Sequence, residues 1–150
     1  MSDVLTTEQR SRNMSAIRSK DTKPELYIRK LLFSCGYRYR KNYKKIPGHP
    51  DIFLPKYRTA IFVNGCFWHR HKGCKYASMP STRTEYWTAK FEANIKRDER
   101  NRSVLSALGI RTLIVWECTA NKMKRDKELE TETLKTIEEF IRDGIDYLEI

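Results

Sequence analysis

The sequence predicts an α/β fold, a mixed central sheet flanked by helices, and three observations carry that reading. Two apolar, buried-looking runs of strand length, Thr59 to Asn64 and Ile110 to Trp116, lie on either side of a long segment whose apolar residues recur at helical spacing. A further helical pattern sits near each end of the chain. Elements in the order helix, strands, helix, strand, helix build a sheet covered by helices. No internal repeat or low-complexity linker divides the 150 residues, a length that suits one domain with a single core.

Each element has a local cause. In Thr22-Lys23-Pro24-Glu25 the threonine caps a helix, the proline occupies its first turn and the glutamate completes a capping box. Ile28, Leu31, Leu32 and Cys35 follow at helical spacing and Gly36 ends the helix, so Cys35 is expected in the core. Tyr37 to Arg40 alternates like an edge strand. The loop Ile46-Pro47-Gly48-His49-Pro50 leads into a short strand, Asp51 to Leu54, and Pro55 to Arg58 turns the chain into the first buried strand. A second capping box, Thr82 with Glu85, opens the long helix, which carries Trp87, Phe91 and Ile95 and ends at Gly109. Leu134, Ile137 and Ile141 mark a C-terminal helix.

Composition narrows the function. Thirty Lys and Arg against 19 Asp and Glu give a net charge of +11. On a chain this small that excess points to a polyanionic partner, of which nucleic acid is the commonest. The plain alternative is a soluble basic protein whose charge only keeps molecules apart. No helix joins a basic face to a broad apolar one, which argues against a membrane surface, and no apolar run is long enough to span a bilayer. Residues 1–20 are polar and basic and lack the apolar centre of a signal peptide, so a cytoplasmic location on the nucleoid is expected.

Four cysteines in such a setting favour metal ligation over disulfides. Cys66, His71 and Cys74 fall in one short stretch and Cys118 follows a distant strand. Three close soft or borderline ligands with a remote fourth suit a closed, tetrahedral, structural Zn²⁺ site. Arg70, Lys72, Gly73 and Lys75 offer this loop almost nothing to bury. The other reading is of scattered buried thiols and an exposed loop histidine.

A second constellation is built from acids and a histidine. Asp51 opens a strand beside a glycine-containing loop, a place suited to a hard cation such as Mg²⁺. Glu25 fits two roles on local grounds, a second metal carboxylate or a simple capping-box residue. His69 could take a proton from water, with Asp98 orienting its ring; a lone loop histidine is more often structural. Phe67 and Trp68, among Arg70, His71 and Lys72, fit stacking on bases or wedging between them. Trp87 could join them, but its place on an apolar helix face makes core its first assignment.

The strings Arg12-Asn13-Met14-Ser15-Ala16-Ile17, Asp21-Thr22, Pro47-Gly48-His49-Pro50-Asp51, Gly65-Cys66-Phe67-Trp68-His69, Thr82-Arg83-Thr84-Glu85-Tyr86-Trp87, Arg97-Asp98 and Val115-Trp116-Glu117-Cys118 resemble the very short patch repair (Vsr-type) endonucleases. The resemblance runs in order from about Arg10 to Cys118. It implies a restriction-endonuclease-like fold and Mg²⁺-dependent cutting of one strand 5′ to the T of a T·G mismatch. It also implies that Asp51 and the Val63 carbonyl ligate Mg²⁺, that Glu25 holds water on the metal, and that His69 is a general base paired with Asp98. Cys66, His71, Cys74 and Cys118 match the family's zinc ligands. Phe67, Trp68 and Trp87 match its major-groove wedge, and Met14 and Ile17 its minor-groove segment, so residues 1–20 are expected to contact DNA. A monomer is expected, and recruitment of a MutL-type repair protein stays open.

The chain departs from the family pattern in three places. Gly73 adds one residue between His71 and Cys74, which a flexible glycine can absorb. Asn64 stands where a histidine often contacts the scissile phosphate, so an amide replaces an ionisable donor. Phe62, Val63 and Asn64 hold the strand end where the wider restriction fold carries a second acid and a lysine. Two rival functions are kept: a restriction-associated or homing-type nickase that reads sequence and not a mismatch, and a non-catalytic zinc module that binds DNA.

Overall fold

The computed structural model describes residues 20–150. Helix α1 (Lys23–Ser34) starts where Thr22 Oγ1 accepts the Glu25 amide at 3.4 Å, and it stops at Cys35 and the left-handed Gly36. Glu25, Ile28, Arg29 and Leu32 form its buried face. Strands β1 (Arg40–Lys41) and β2 (Ile52–Leu54) lead through one 3-10 turn to β3 (Thr59–Asn64). Helix α2 (Thr84–Ala107) follows, then β4 (Arg111–Trp116), α3 (Glu117–Arg125), α4 (Lys127–Asp143) and β5 (Tyr147–Glu149). The five strands lie in sequence order in one mixed sheet, β1–β2–β3 antiparallel and β3–β4–β5 parallel.

Both faces of β3 and β4 are covered, which is why these strands read as continuous apolar runs. Ile61, Val63, Leu113 and Val115 point to one face and meet Ile28 and Leu32 of α1, Met123 of α3 and Ile137 and Ile141 of α4. On the other face Ala60 packs with Phe53, Ile110 and Leu105 of α2, and Ile114 and Trp116 pack with Cys66 and Cys118. The β3–β4 register runs from Thr59 opposite Arg111 to Asn64 opposite Trp116, so the two strands end level. The chain after Asn64 and the chain after Trp116 therefore leave the sheet side by side. In open α/β sheets the carboxyl ends of parallel strands are where ligands bind.

Several expectations need correction. Cys35 is exposed, because α1 has ended by then and the residue turns away from the stripe of Ile28 and Leu32. The Thr82 capping box does not form: Arg83, at φ 53°, precedes α2 and no side chain caps it. Only Phe91, Asn94 and Leu105 of α2 are buried, and Ile95 is exposed, since the helix stands off the sheet over a cleft. Trp87 is half-buried, not core. The edge strand lies at Arg40–Lys41 and not from Tyr37, β2 starts at Ile52, and α3 and β5 had no counterpart in the sequence reading. Gly109 does end α2, at φ 74°, with the Ile110 amide bonded back to the Leu105 carbonyl at 2.9 Å. Among the described residues no helix is long and apolar enough to cross a membrane.

Candidate functional site

The level ends of β3 and β4 start Cys66 and Cys118 from neighbouring positions. Beyond Gly65 the chain folds back on itself: the His71 amide bonds the Cys66 carbonyl at 3.0 Å, and the Cys74 amide bonds the His71 carbonyl at 3.2 Å. Gly73, at φ 74° with no described atom within 4 Å of a notional Cβ, lets the chain turn here without strain. One ligand atom from each of Cys66, His71, Cys74 and Cys118 lies within 4.8 Å of all the others, and Cys118 Sγ is 3.4 Å from His71 Nδ1. Tetrahedral Zn–N and Zn–S bonds set such atoms about 3.3–3.8 Å apart, so a small contraction closes the four around an ion. The His71 ring is stacked on Trp116, centroids 4.2 Å apart, which fixes its orientation. Burial pushes His71 below its ordinary value, favouring the neutral, ligating imidazole, and pushes the Cys66 thiol up to about 12. A thiol held that high ionises only with help from a cation. The three cysteines and His71 could hold a metal.

Beside this knot lies an edge of carboxylates. The Val63 amide donates to Asp51 Oδ2 at 2.8 Å. A strand residue's N–H and C=O share one side, so the Val63 carbonyl faces the same edge as Asp51. Glu25, 3% exposed, reaches this region from α1, and its Oε2 accepts the Asp21 amide at 2.7 Å and Arg29 Nη2 at 3.3 Å. Burial, then the Glu25 charge, pushes the Asp51 carboxyl up to about 7, while the Val63 amide, Arg29 and His69 pull it down. Burial also pushes Glu25 upward. Two carboxyls held above their ordinary range by burial, with a carbonyl alongside, are the oxygen donors that a hard divalent cation takes.

His69 Nδ1 and Asp98 Oδ2 are 2.6 Å apart, joining the loop after Cys66 to the middle of α2. The loop is anchored there by buried Asn94, whose Nδ2 donates to the Trp68 carbonyl at 3.1 Å. His69, Asp98 and buried Asn64 line a cleft of about 730 Å³ between α2 and the sheet; Asp51 and Glu25 do not line it. Phe67, Trp68 and Trp87 form one half-buried cluster, with Phe67 edge-on to Trp68 and Trp87 at 5.1 and 5.5 Å, seated on buried Phe91. Trp87 thus belongs with the loop aromatics. Met14 and Ile17 lie outside the described residues.

A family model described as DNA mismatch endonuclease Vsr matches residues 2–75. The chain is 41% identical to DNA mismatch endonuclease Vsr of Escherichia coli over 141 residues, 94% of this chain and 88% of that protein. The chain belongs to the Vsr family. The type II nicking enzyme V.NmeAIP of Neisseria meningitidis serogroup A is 41% identical over 145 residues, covering 97% of this chain and all of that protein. V.XorIIP of Xanthomonas oryzae pv. oryzae, also a type II nicking enzyme, is 48% identical over 118 residues, 79% of this chain and 86% of that protein. This Vsr-family chain is a DNA endonuclease.

Sequence reasoning passed over two residues of this Vsr-family site. Arg29 is buried against Glu25 and the Asp51 main chain, and Asn94 holds the His69 loop. Arg29 was detectable in principle: it lies four residues after Glu25 and in phase with the Ile28–Leu32 stripe, where a charge must find a partner.

Proposed function

We propose that this chain is a Mg²⁺-dependent mismatch endonuclease that hydrolyses one DNA strand 5′ to the T of a T·G pair. One observation carries the reading: His69 Nδ1 and Asp98 Oδ2 are 2.6 Å apart, on the loop that leaves the strand whose Val63 amide donates to Asp51 Oδ2, an arrangement that a DNA-binding module has no use for. Asp51 and the Val63 carbonyl would hold Mg²⁺, with Glu25 close behind. Bound there, Mg²⁺ supplies charge stabilisation at the scissile phosphate. His69 accepts the proton of the attacking water at Nε2, while Asp98 at Nδ1 fixes the ring and stabilises its charged form. Asn64 offers an amide donor to the phosphate, without a charge. Phe67, Trp68 and Trp87 wedge beside the mismatch, where unstacking costs least. Met14 and Ile17 approach the minor groove.

The remaining assignments follow from the same reading. Zn²⁺ at Cys66, His71, Cys74 and Cys118 is structural, the fold is restriction-endonuclease-like, and residues 1–150 form one endonuclease domain in which 1–20 contact DNA. The protein acts as a monomer in the cytoplasm, on the nucleoid, with a MutL-type protein as a candidate partner. The net charge of +11 supports the DNA substrate.

A second reading is compatible with the relatives named type II nicking enzymes: a restriction-associated or homing-type nickase that reads sequence and not a mismatch. Strand-specific nicking of a duplex with one T·G pair is compared with nicking of the fully paired duplex and of a library of perfect duplexes, in Mg²⁺. The mismatch reading expects cutting of the T strand in the T·G duplex only. Equal cutting of paired and mismatched duplexes would rule out mismatch specificity and favour the second reading.

A further inference from the structure

One buried cation at the acid edge has no part in the chemistry proposed above. Arg29, 4% exposed, lies one turn after Glu25 on α1. Its Nη1 donates to Asp21 Oδ1 at 2.7 Å; its Nη2 lies within 3.3 Å of Glu25 Oε2, 3.1 Å of Asn42 Oδ1 and 3.3 Å of the Asp51 carbonyl oxygen. The residues before and on α1, and those flanking the β1–β2 pairing, meet on this one guanidinium. A second route joins them: Asn42 Nδ2 donates to Asp21 Oδ1 at 2.9 Å, and the Asn42 amide donates to the Asp51 carbonyl at 3.1 Å. Asp21 and Asn42 both sit at positive φ, 55° and 46°, which Asp and Asn tolerate better than most side chains.

Stability alone does not account for this arginine. A buried ion pair is commonly no better for folding than well-packed apolar residues of the same volume, and Arg29 Nε is buried with no hydrogen-bond partner among the described residues. What a planar guanidinium adds is direction. Its rigid fork fixes where each acceptor lies, which an ammonium on a flexible stem does not do. Of its four acceptors, Asp21 and Asn42 anchor the guanidinium at 2.7 and 3.1 Å, and the Glu25 carboxylate and the main chain of Asp51 belong to the acid edge, both at 3.3 Å.

We propose that Arg29 is a positioning residue of the metal edge, holding the Glu25 carboxylate and the Asp51 main chain in place before a divalent cation binds. The inference rests on the reading that this edge takes Mg²⁺. It makes the affinity for the ion, and not the chemical step, depend on Arg29.

Two Mg²⁺ titrations test it, run on the wild type and on Arg29→Lys: nicking of the T·G duplex, and thermal unfolding of the protein without DNA. The expected result is an about tenfold higher Mg²⁺ concentration needed both to half-saturate nicking and to produce a given rise in Tm, the usual scale for losing a partner of a metal ligand, with nicking near the wild-type rate once Mg²⁺ saturates. A lysine variant that is less stable yet half-saturates at the wild-type concentration would overturn the assignment and leave the mismatch reading standing. A wild type that nicks equally well without Mg²⁺ would overturn both. If Arg29→Lys does not fold, Asn42→Ala decides: a shift of about threefold in both titrations supports the role, and no shift overturns it.

Discussion

The cysteine knot and the acid edge lie at the same end of the sheet but are built on opposite plans. The knot gathers four soft or borderline ligand atoms within 4.8 Å of one another, enough to fill a tetrahedron. Its loop is wound by local turns, and His71 is clamped on Trp116. The edge has few donors, all oxygen, drawn from α1, the start of β2 and the end of β3, and Asp51 keeps a raised proton affinity. A closed set of ligands holds chain segments together; an open set of hard ligands leaves room for substrate and water. On the proposed function the two sites answer to different experiments, one to stability and one to turnover.

The sharpest way to separate them is Asp51→Asn. Nicking of a T·G duplex falls about 10³-fold or more, since several kcal/mol of charge stabilisation is lost at about 1.4 kcal/mol per decade, while DNA affinity measured without Mg²⁺ stays level. Comparable losses in binding and cutting would erase the distinction. His69→Ala costs about 10²–10⁴-fold in rate, and Asp98→Asn less, because Asp98 acts through the ring. A single-turnover assay reads both, and an Asp98→Asn variant as slow as His69→Ala would mean that Asp98 has a direct part.

On the other side of the comparison, Cys118→Ser breaks the knot. Several kcal/mol of metal-linked stability is lost, a fall in Tm of about 10 °C, and binding and cutting decline together. Calorimetry with a gel-shift assay checks this. An unchanged Tm would make the four residues an unlinked cluster.

The smallest expected effect is a pH dependence at the edge. An unfolded aspartate titrates near 3.9, whereas metal-free Asp51 is pushed up to about 7 by burial first and Glu25 second. The folded state therefore binds this proton more tightly, so metal-free stability falls as pH rises from about 4 to about 7 and levels off above. Mg²⁺ competes with the same proton, and its stabilising effect grows across that interval. Melts at pH 5 and 8, with and without Mg²⁺, give the answer; an equal Mg²⁺ increment at both would contradict it.

What could be read from the chain depended on whether the cause was local. Strand β3 was bounded correctly because a fully covered strand is one apolar run between turn residues. The start of α1 followed from Thr22, Pro24 and Glu25, and the knot from ligand spacing. Helix α3 was invisible because it begins at Glu117 directly after β4 with no side-chain cap, and β5 because three residues carry no period. Thr82 and Glu85 matched a capping box, yet Thr82 lies outside the helix that forms. Spacing from Glu25 and the Ile28–Leu32 stripe place Arg29 on the buried face of α1, but its other partners lie 8, 13 and 22 residues away. Those longer pairings are a product of the fold, and no local pattern carries them.

The central claim, one metal to hold the fold and another to cut, is tested most directly by counting metals. The protein is treated with a mild chelator, its zinc is measured by elemental analysis, and nicking of a T·G duplex is assayed before and after Mg²⁺ is returned. The account predicts about one zinc retained per chain, no cutting without Mg²⁺, and full cutting on its return. A chelated protein that keeps its zinc and still cuts without added Mg²⁺ would contradict it.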